Sequence, residues 1–229
     1  MNFTIIIPTL NEAQAIVNCL TALQPLRNFC EIIVVDGGSA DNTKRLAQPF
    51  ADKVMSSAKG RAIQMNIGAE SAKGDVLIFL HADTFLPDDA LGQITQASNN
   101  KAKWGRFDVQ LSGNHRMLSV VALSMNWRSR LTGIATGDQV IFVNKQLFES
   151  IGRYPVIPLM EDIALCKKLK KITPSVCLKT KVISSGRRWE QFGVAWTILL
   201  MWSLRLRYAL GAEPQTLAIL YSKGRFWKT

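Results

Sequence analysis

Carboxylates that close apolar runs are the first places in this chain where chemistry could sit. Asp36 follows the run Ile32-Ile33-Val34-Val35 and precedes Gly37-Gly38-Ser39. Glycines there let a ligand approach the backbone while the carboxylate accepts hydrogen bonds from a base or a ribose. A plain strand-to-helix turn with Ser39 or Asp41 as N-cap accounts for the same residues. Asp83 ends His81-Ala82-Asp83 after the apolar segment 75–80. A hard oxygen ligand at that point could hold Mg²⁺ or Mn²⁺ against a diphosphate. The alternative is that Asp83 or Asp88 caps a helix starting near Pro87.

Glu161 and Asp162 open a helical segment, where the helix dipole stabilises acidic side chains by ~0.3–1 kcal/mol. Asp162 also precedes Leu165, Leu169 and Ile172 on an expected packed face, which turns its side chain toward the sheet edge and suits a general base. Lys59-Gly60-Arg61 puts two cations at a helix start, fit for phosphate or for solvent. Arg187-Arg188-Trp189 sets a cation pair beside an indole, suited to a pyrophosphate or a sugar face, or to ordinary surface packing. His81 and His115 are the only histidines. Their separation supports neither zinc nor a nucleophilic triad.

The elements that must position these groups alternate in the βαβ manner. Strands are expected over Phe3–Ile7, Glu31–Val35, Lys53–Met55 and Asp75–Leu80, with helices through Ile16, Leu20 and Leu23 and over Gly60–Lys73. Further along, strands are expected over Lys103–Leu111 and Gln139–Val143, and helices over Met117–Arg130 and Met160–Lys171. The fold class is therefore α/β. Pro8-Thr9, Asp36-Gly37-Gly38 and His81-Ala82-Asp83 then fall on the carboxyl ends of strands, where open α/β sheets bind ligands.

The 229 residues suit one domain with its own core, and 48% hydrophobic against 20% charged residues fits a folded protein. The net charge of +11 favours anionic partners. Residues 179–229 hold nine basic residues, Lys228 among them, against only Glu190 and Glu213. The four cysteines form no CxxC pair, so reduced, buried thiols in a cytoplasmic protein are expected. Pro8 stops the first apolar run too early for a signal peptide, so no export signal is expected. Residues 194–204 are apolar apart from Thr197 and Ser203, yet the ~20 apolar residues of a span are not reached.

Five segments in order carry a resemblance: IIIPTLNEA at 5–13, EIIVVDGGSADNT at 31–43, FLHADT at 79–84, GDQVIFVNKQLFESIGRYP at 137–155 and MEDIALCKKL at 160–169. Together they resemble the family 2 inverting glycosyltransferases of the GT-A fold. GRAIQMNIGA at 60–69 and RRWEQFG at 187–193 are similar to the small bacterial members of arsenosugar-biosynthesis type. The resemblance implies a Rossmann-like, mostly parallel sheet flanked by helices. A nucleotide-binding half would span about 1–100, an acceptor-side half about 101–190 and a helical basic segment about 191–229.

It further implies a nucleotide-sugar donor held by Pro8, Thr9, Glu12, Asp36, Gly38, Arg61, Asp83 and Arg188. Asp83 would hold Mn²⁺ or Mg²⁺ and Asp162 would be the catalytic base. Asp138, Gln139, Glu161 and Trp189 would face the acceptor. The family's DxD reads His81-Ala82-Asp83, leaving one carboxylate at the metal position. Its Asp-Asp-Gly-Ser turn reads Asp36-Gly37-Gly38-Ser39, with UDP favoured over GDP. QxxRW keeps Arg188-Trp189 but has Ser185, which favours single transfer over polymerisation.

Transfer to a polyprenyl phosphate at the inner face of a membrane is the alternative within enzymes. Residues 192–210, with Trp196 and Trp202, would then meet lipid, or else a second copy of the chain. A non-catalytic nucleic-acid or membrane binder is the alternative of another class. No nucleic-acid partner is expected, because the chain shows no such motif. A nucleotidyltransferase would need a Gly-rich loop where Pro8-Thr9-Leu10-Asn11-Glu12 stands.

Overall fold

The computed structural model describes residues 1–226; Lys228, counted above among the basic residues, lies outside them. In chain order the strands are β1 (Phe3–Thr9), β2 (Cys30–Asp36), β3 (Lys53–Ser56), β4 (Val76–Phe79), β5 (Thr84–Phe85), β6 (Trp104–Ser112), β7 (Ile141–Asn144) and β8 (Val176–Ser185). The helices are α1 (Ile16–Leu23), α2 (Thr43–Ala47), α3 (Arg61–Ser71), α4 (Ala90–Asn99), α5 (Met117–Thr132), α6 (Lys145–Ser150), α7 (Glu161–Leu169), α8 (Arg187–Phe192), α9 (Val194–Ala209) and α10 (Pro214–Lys223).

The β-branched runs become central strands because both faces of the sheet are covered. On β1 and β2, Ile5, Ile7, Ile32 and Val34 point into one core cluster, and Ile6, Ile33 and Val35 into the other, as the period of two requires. The strands form one sheet in the order β3-β2-β1-β4-β7-β6-β8-β5. Parallel pairing joins β3 through β4 and also β6 to β8, while β7 and β5 run antiparallel to their neighbours. The sheet is therefore mixed but mostly parallel, as expected, with β7 and β5 as its antiparallel members. A third cluster packs Leu200, Leu204, Leu217 and Leu220 of α9 and α10 against Leu159, Met160 and Ile163 at the start of α7.

This order fixes one rim. The carboxyl ends of β2, β1 and β4 lie side by side there, and the antiparallel pairing Phe79↔Ile141 brings the residues preceding β7 to the same edge. Gln64, buried on α3, donates from Nε2 to the carbonyls of Thr9 and Val35 at 2.8 Å each, tying two strand ends together. Gln64→Ala removes both bonds and is expected to cost about 1–3 kcal/mol. A thermal melt that leaves the midpoint unchanged would contradict that role.

Several boundary expectations are corrected. Gln139 lies in a 3₁₀ turn over Gly137–Gln139, not in a strand, because Val140 turns to φ +50° before β7 begins. Ile172 is exposed, since α7 ends at Leu169. α4 begins at Ala90 with no side-chain cap, so neither Asp83 nor Asp88 caps it. Cys19, Cys30 and Cys166 are free and buried as expected, whereas Cys177 is half-buried. Burial pushes the Cys19, Cys30 and Cys166 thiols up to about 12.

Candidate functional site

The end of β2 forms the first wall. Asp36 is buried and accepts from the backbone N–H of Gly38 (3.1 Å) and Ser39 (2.9 Å), from the Ser39 hydroxyl and, at 3.4 Å, from the Thr9 hydroxyl. The carboxylate thus stabilises its own turn, while Gly38, at φ +87°, keeps the space beside its Cα open. Asp41 accepts from the Thr43 N–H at 3.0 Å, so the turn reading and an open ligand approach coexist. Pro8 and Thr9 are buried at the end of β1 and shape the floor through their backbone.

Beyond β4, Asp83 meets Arg187 at 3.3 Å, and the same Arg187 nitrogen is held by both oxygens of Glu12 at 2.7 and 2.8 Å. The antiparallel pairing of Thr84 with Ser184 delivers the end of β8 to this point, which is why Arg187 reaches it. Two carboxylates from distant segments therefore converge on one cation. The Arg187 side chain is 54% exposed and that of Asp83 21%, so this ion pair can open to admit an anion or a cation.

The other wall is built from the turn before β7 and the start of α7. The Gly137 N–H donates to Asp162 Oδ2 at 2.8 Å, fixing the carboxylate at the rim. His81 Nδ1 lies 3.5 Å from Asp138 Oδ1, with side-chain exposures of 18% and 41%. Both side chains keep part of their surface open to solvent, Asp138 the larger part, as at the wall of a cleft. Arg61, the first residue of α3, pairs with Glu161 Oε1 at 2.8 Å. Burial pushes Glu161 up and the charge of Asp162 adds to it, with Arg61 offsetting part. Burial and the charge of Asp162 also hold the Tyr154 phenol well above its usual range.

Burial alone would lower His81, but the hydrogen bond and charge of Asp138 outweigh it and raise the imidazole above 6.5. Burial likewise acts against ionised Asp138, and His81 with Arg61 and Arg128 overcomes it, lowering Asp138 below 3.8. The stability from His81 is complete below 6.5 and is lost as pH rises through its raised value. That from Asp138 is present above 3.8 and is lost as pH falls through its lowered value. The pair supports the fold most between those limits. Asp138→Asn is expected to lower the His81 titration midpoint, followed by NMR with His115 as internal reference. An unmoved midpoint would show that the pair does not form.

Four of the expected site residues do not face the cleft. Arg188 turns away from the rim: its guanidinium lies over the Tyr221 ring at 3.6 Å and donates to the Tyr221 carbonyl. Gln139 is fully buried and donates to the Ser129 hydroxyl at 2.9 Å and to Asn126 at 3.3 Å, bracing α5 instead of facing the cleft. Trp189 packs on the first core cluster and lines a pocket with Asn114, His115 and Val194, away from the rim cluster. Glu161, 1% exposed, supports Arg61 from below and has no open face. Sequence reasoning named Arg187 only as half of the Arg187-Arg188 pair and gave the donor role to Arg188, and it missed the His81–Asp138 pair and the Gly137 N–H. Positive φ at Val140 and Met160 flanks them, the kind of strain that collects at functional sites. Among the described residues no three His, Cys, Asp or Glu side chains gather to hold a metal ion.

A family model described as Glycosyl transferase family 2 matches residues 4–144. A PGL/p-HBAD biosynthesis glycosyltransferase of Mycobacterium bovis is 37% identical over 103 residues, 40% of this chain and 40% of the relative. The match thus spans two fifths of that relative's length. Among solved structures, S. aureus TarS in complex with UDP-GlcNAc has a TM-score of 0.66 at 18% identity, covering 81% of this chain and 58% of TarS. The mannosyltransferase PcManGT of Pyrobaculum calidifontis, in complex with GDP-Man and Mn²⁺, has a TM-score of 0.63 at 18% identity, covering 99% of this chain and 65% of its own. These likenesses establish a GT-A fold.

Proposed function

The chain belongs to glycosyl transferase family 2, and from that premise we propose that it transfers a sugar from a nucleoside diphosphate to an acceptor hydroxyl or phosphate oxygen with inversion. The observation that carries this reading is the meeting of two groups of side chains on one rim: Glu12, Asp83 and Arg187 on one side, and Asp162 held by Gly137 on the other. The donor half is about 1–100 and the acceptor half about 101–190. UDP is favoured over GDP, and the arsenosugar-type subgroup rests on the sequence segments alone.

Asp162 takes the proton from the acceptor O–H as that oxygen forms its bond to the anomeric carbon. The bond from that carbon to the phosphate oxygen breaks, and its electron pair leaves with the nucleoside diphosphate. Arg187, released from its carboxylates, neutralises the departing charge. The Asp36 turn receives the nucleoside, with Gly38 leaving the backbone open to it. The donor set suits a hard divalent cation, since Asp83 is an accessible carboxylate whose present partner is itself exposed. Mn²⁺ or Mg²⁺ at Asp83 would be held jointly with the donor's phosphate oxygens and would supply charge neutralisation there.

A ligand that binds only the native state raises the melting temperature by mass action. UDP with Mn²⁺ is expected to do so, GDP, CDP and dTDP less, and Asp83→Ala is expected to abolish the metal-dependent part. No shift with any nucleotide would overturn the donor reading.

A further inference from the structure

Helices α5 and α9 each carry a stripe of large apolar side chains that stays exposed, with Trp196 alone among them packed edge-on against Phe226. On α5 these are Met117, Val120, Leu123, Trp127 and Leu131; on α9 they are Trp196, Leu199, Trp202 and Leu206, continued by Leu210 at its C-cap. The spacing of three and four keeps each stripe on one helix face. The opposite faces are spent on the core through Leu118, Val121, Ala122 and Met125, and through Val194, Leu200 and Leu204. The outward stripes therefore belong to helices already saturated on their inner side. Trp127 is 59% exposed and Trp202 68%. Scattered apolar residues on a surface need no explanation, but two aligned stripes do.

The segments that carry the two stripes are tied together at one end and feel one another electrostatically at the other. Near their starts the Asn114 N–H donates to Glu190 at 2.6 Å, and Leu118 and Val121 share a core cluster with Val194. Toward their ends, burial and then the charge of Arg205 depress the Arg128 guanidinium to about 9.

We propose that the two exposed stripes together form a face that docks on the surface of an anionic phospholipid bilayer. Charge selects that occupant. Neither helix contains an acidic residue, and each ends on two arginines, Arg128 and Arg130 on α5 and Arg205 and Arg207 on α9. Arg116, exposed, precedes α5. A second copy joined through the same face would bring equivalent arginines toward one another about the twofold axis. Tryptophan beside arginine suits the headgroup boundary, where an indole has both an apolar and a polar neighbour. No helix among the described residues is long and apolar enough to cross a membrane, so the face lies on the bilayer. Arg128 and Arg205 also feel Asp138 of the cleft, so docking would hold the cleft close to the lipid headgroups.

The test is flotation of the full chain with vesicles of phosphatidylcholine alone and of phosphatidylcholine mixed with phosphatidylglycerol. Binding is expected only to the anionic vesicles and is expected to weaken with salt. The double variant Trp127→Ser, Trp202→Ser should bind at least about tenfold more weakly, with an unchanged melting temperature because both side chains are exposed. The nucleotide-induced thermal shift should be the same in both proteins, so docking and the donor reading fail separately. Absence of binding to anionic vesicles, or equal binding by the double variant, would overturn the proposal. So would a concentration-dependent dimer, seen by sedimentation and lost in the variant, with no vesicle binding.

Discussion

Asp162→Asn is expected to lower the rate of nucleoside diphosphate release by about 10²–10⁴-fold, the contribution of a positioned general base. The substitution keeps the oxygen that accepts from the Gly137 N–H at 2.8 Å, and it keeps the side-chain volume where the residue is 8% exposed. Position is preserved and basicity is lost. Donor affinity should therefore change little, because the groups assigned to the diphosphate, Asp83 and Arg187, lie on the opposite wall. A rate within a factor of a few of the wild type, measured at saturating donor, would remove Asp162 from the role of base.

Gly137→Ala is expected to lower turnover by about 10²-fold or more without replacing any ionisable group. A Cβ at that position would collide with the His81 imidazole and would come within 3.3 Å of Asp162 Oδ2. Both neighbours are held, His81 by Asp138 and Asp162 by the Gly137 N–H itself, so the backbone must retreat and the 2.8 Å hydrogen bond must lengthen. Loss of the aligned geometry at a reacting centre costs on the order of 10²-fold or more. If the variant folds, its donor affinity should survive while turnover does not. Should the variant unfold, Asp138→Asn frees His81 to move aside, and the double variant should recover a measurable melting transition. Wild-type turnover in Gly137→Ala would contradict the placement of Gly137 between these side chains.

The central strands were legible because their β-branched runs are buried on both faces, so composition alone marks them. β8 escaped notice because lysines alternate with its apolar residues, and β5 is only two residues long. The rim residues Asp36, Asp83 and Asp162 were legible from their places at element ends. The partnership of His81 with Asp138 was not, because it depends on β7 running antiparallel beside β4, which no local pattern encodes. Nor could the pair Arg187-Arg188 reveal which guanidinium faces the cleft. Adjacent residues on a helix point about 100° apart, and the start of α8 settles it in favour of Arg187. Gln139 looked like a strand residue because Val140 to Val143 are apolar. The turn at Val140, a β-branched residue at positive φ, is imposed by the tertiary setting against its own preference.

The most direct test of the central claim is calorimetric titration of the favoured UDP-sugar class, with Mn²⁺, into the wild type, Asp83→Ala and Asp162→Asn. Binding by the wild type, loss in Asp83→Ala and near-normal affinity in Asp162→Asn, alongside its lost turnover, are predicted. Binding that survives in Asp83→Ala but disappears in Asp162→Asn would contradict the assignment of donor and base to opposite walls of the cleft.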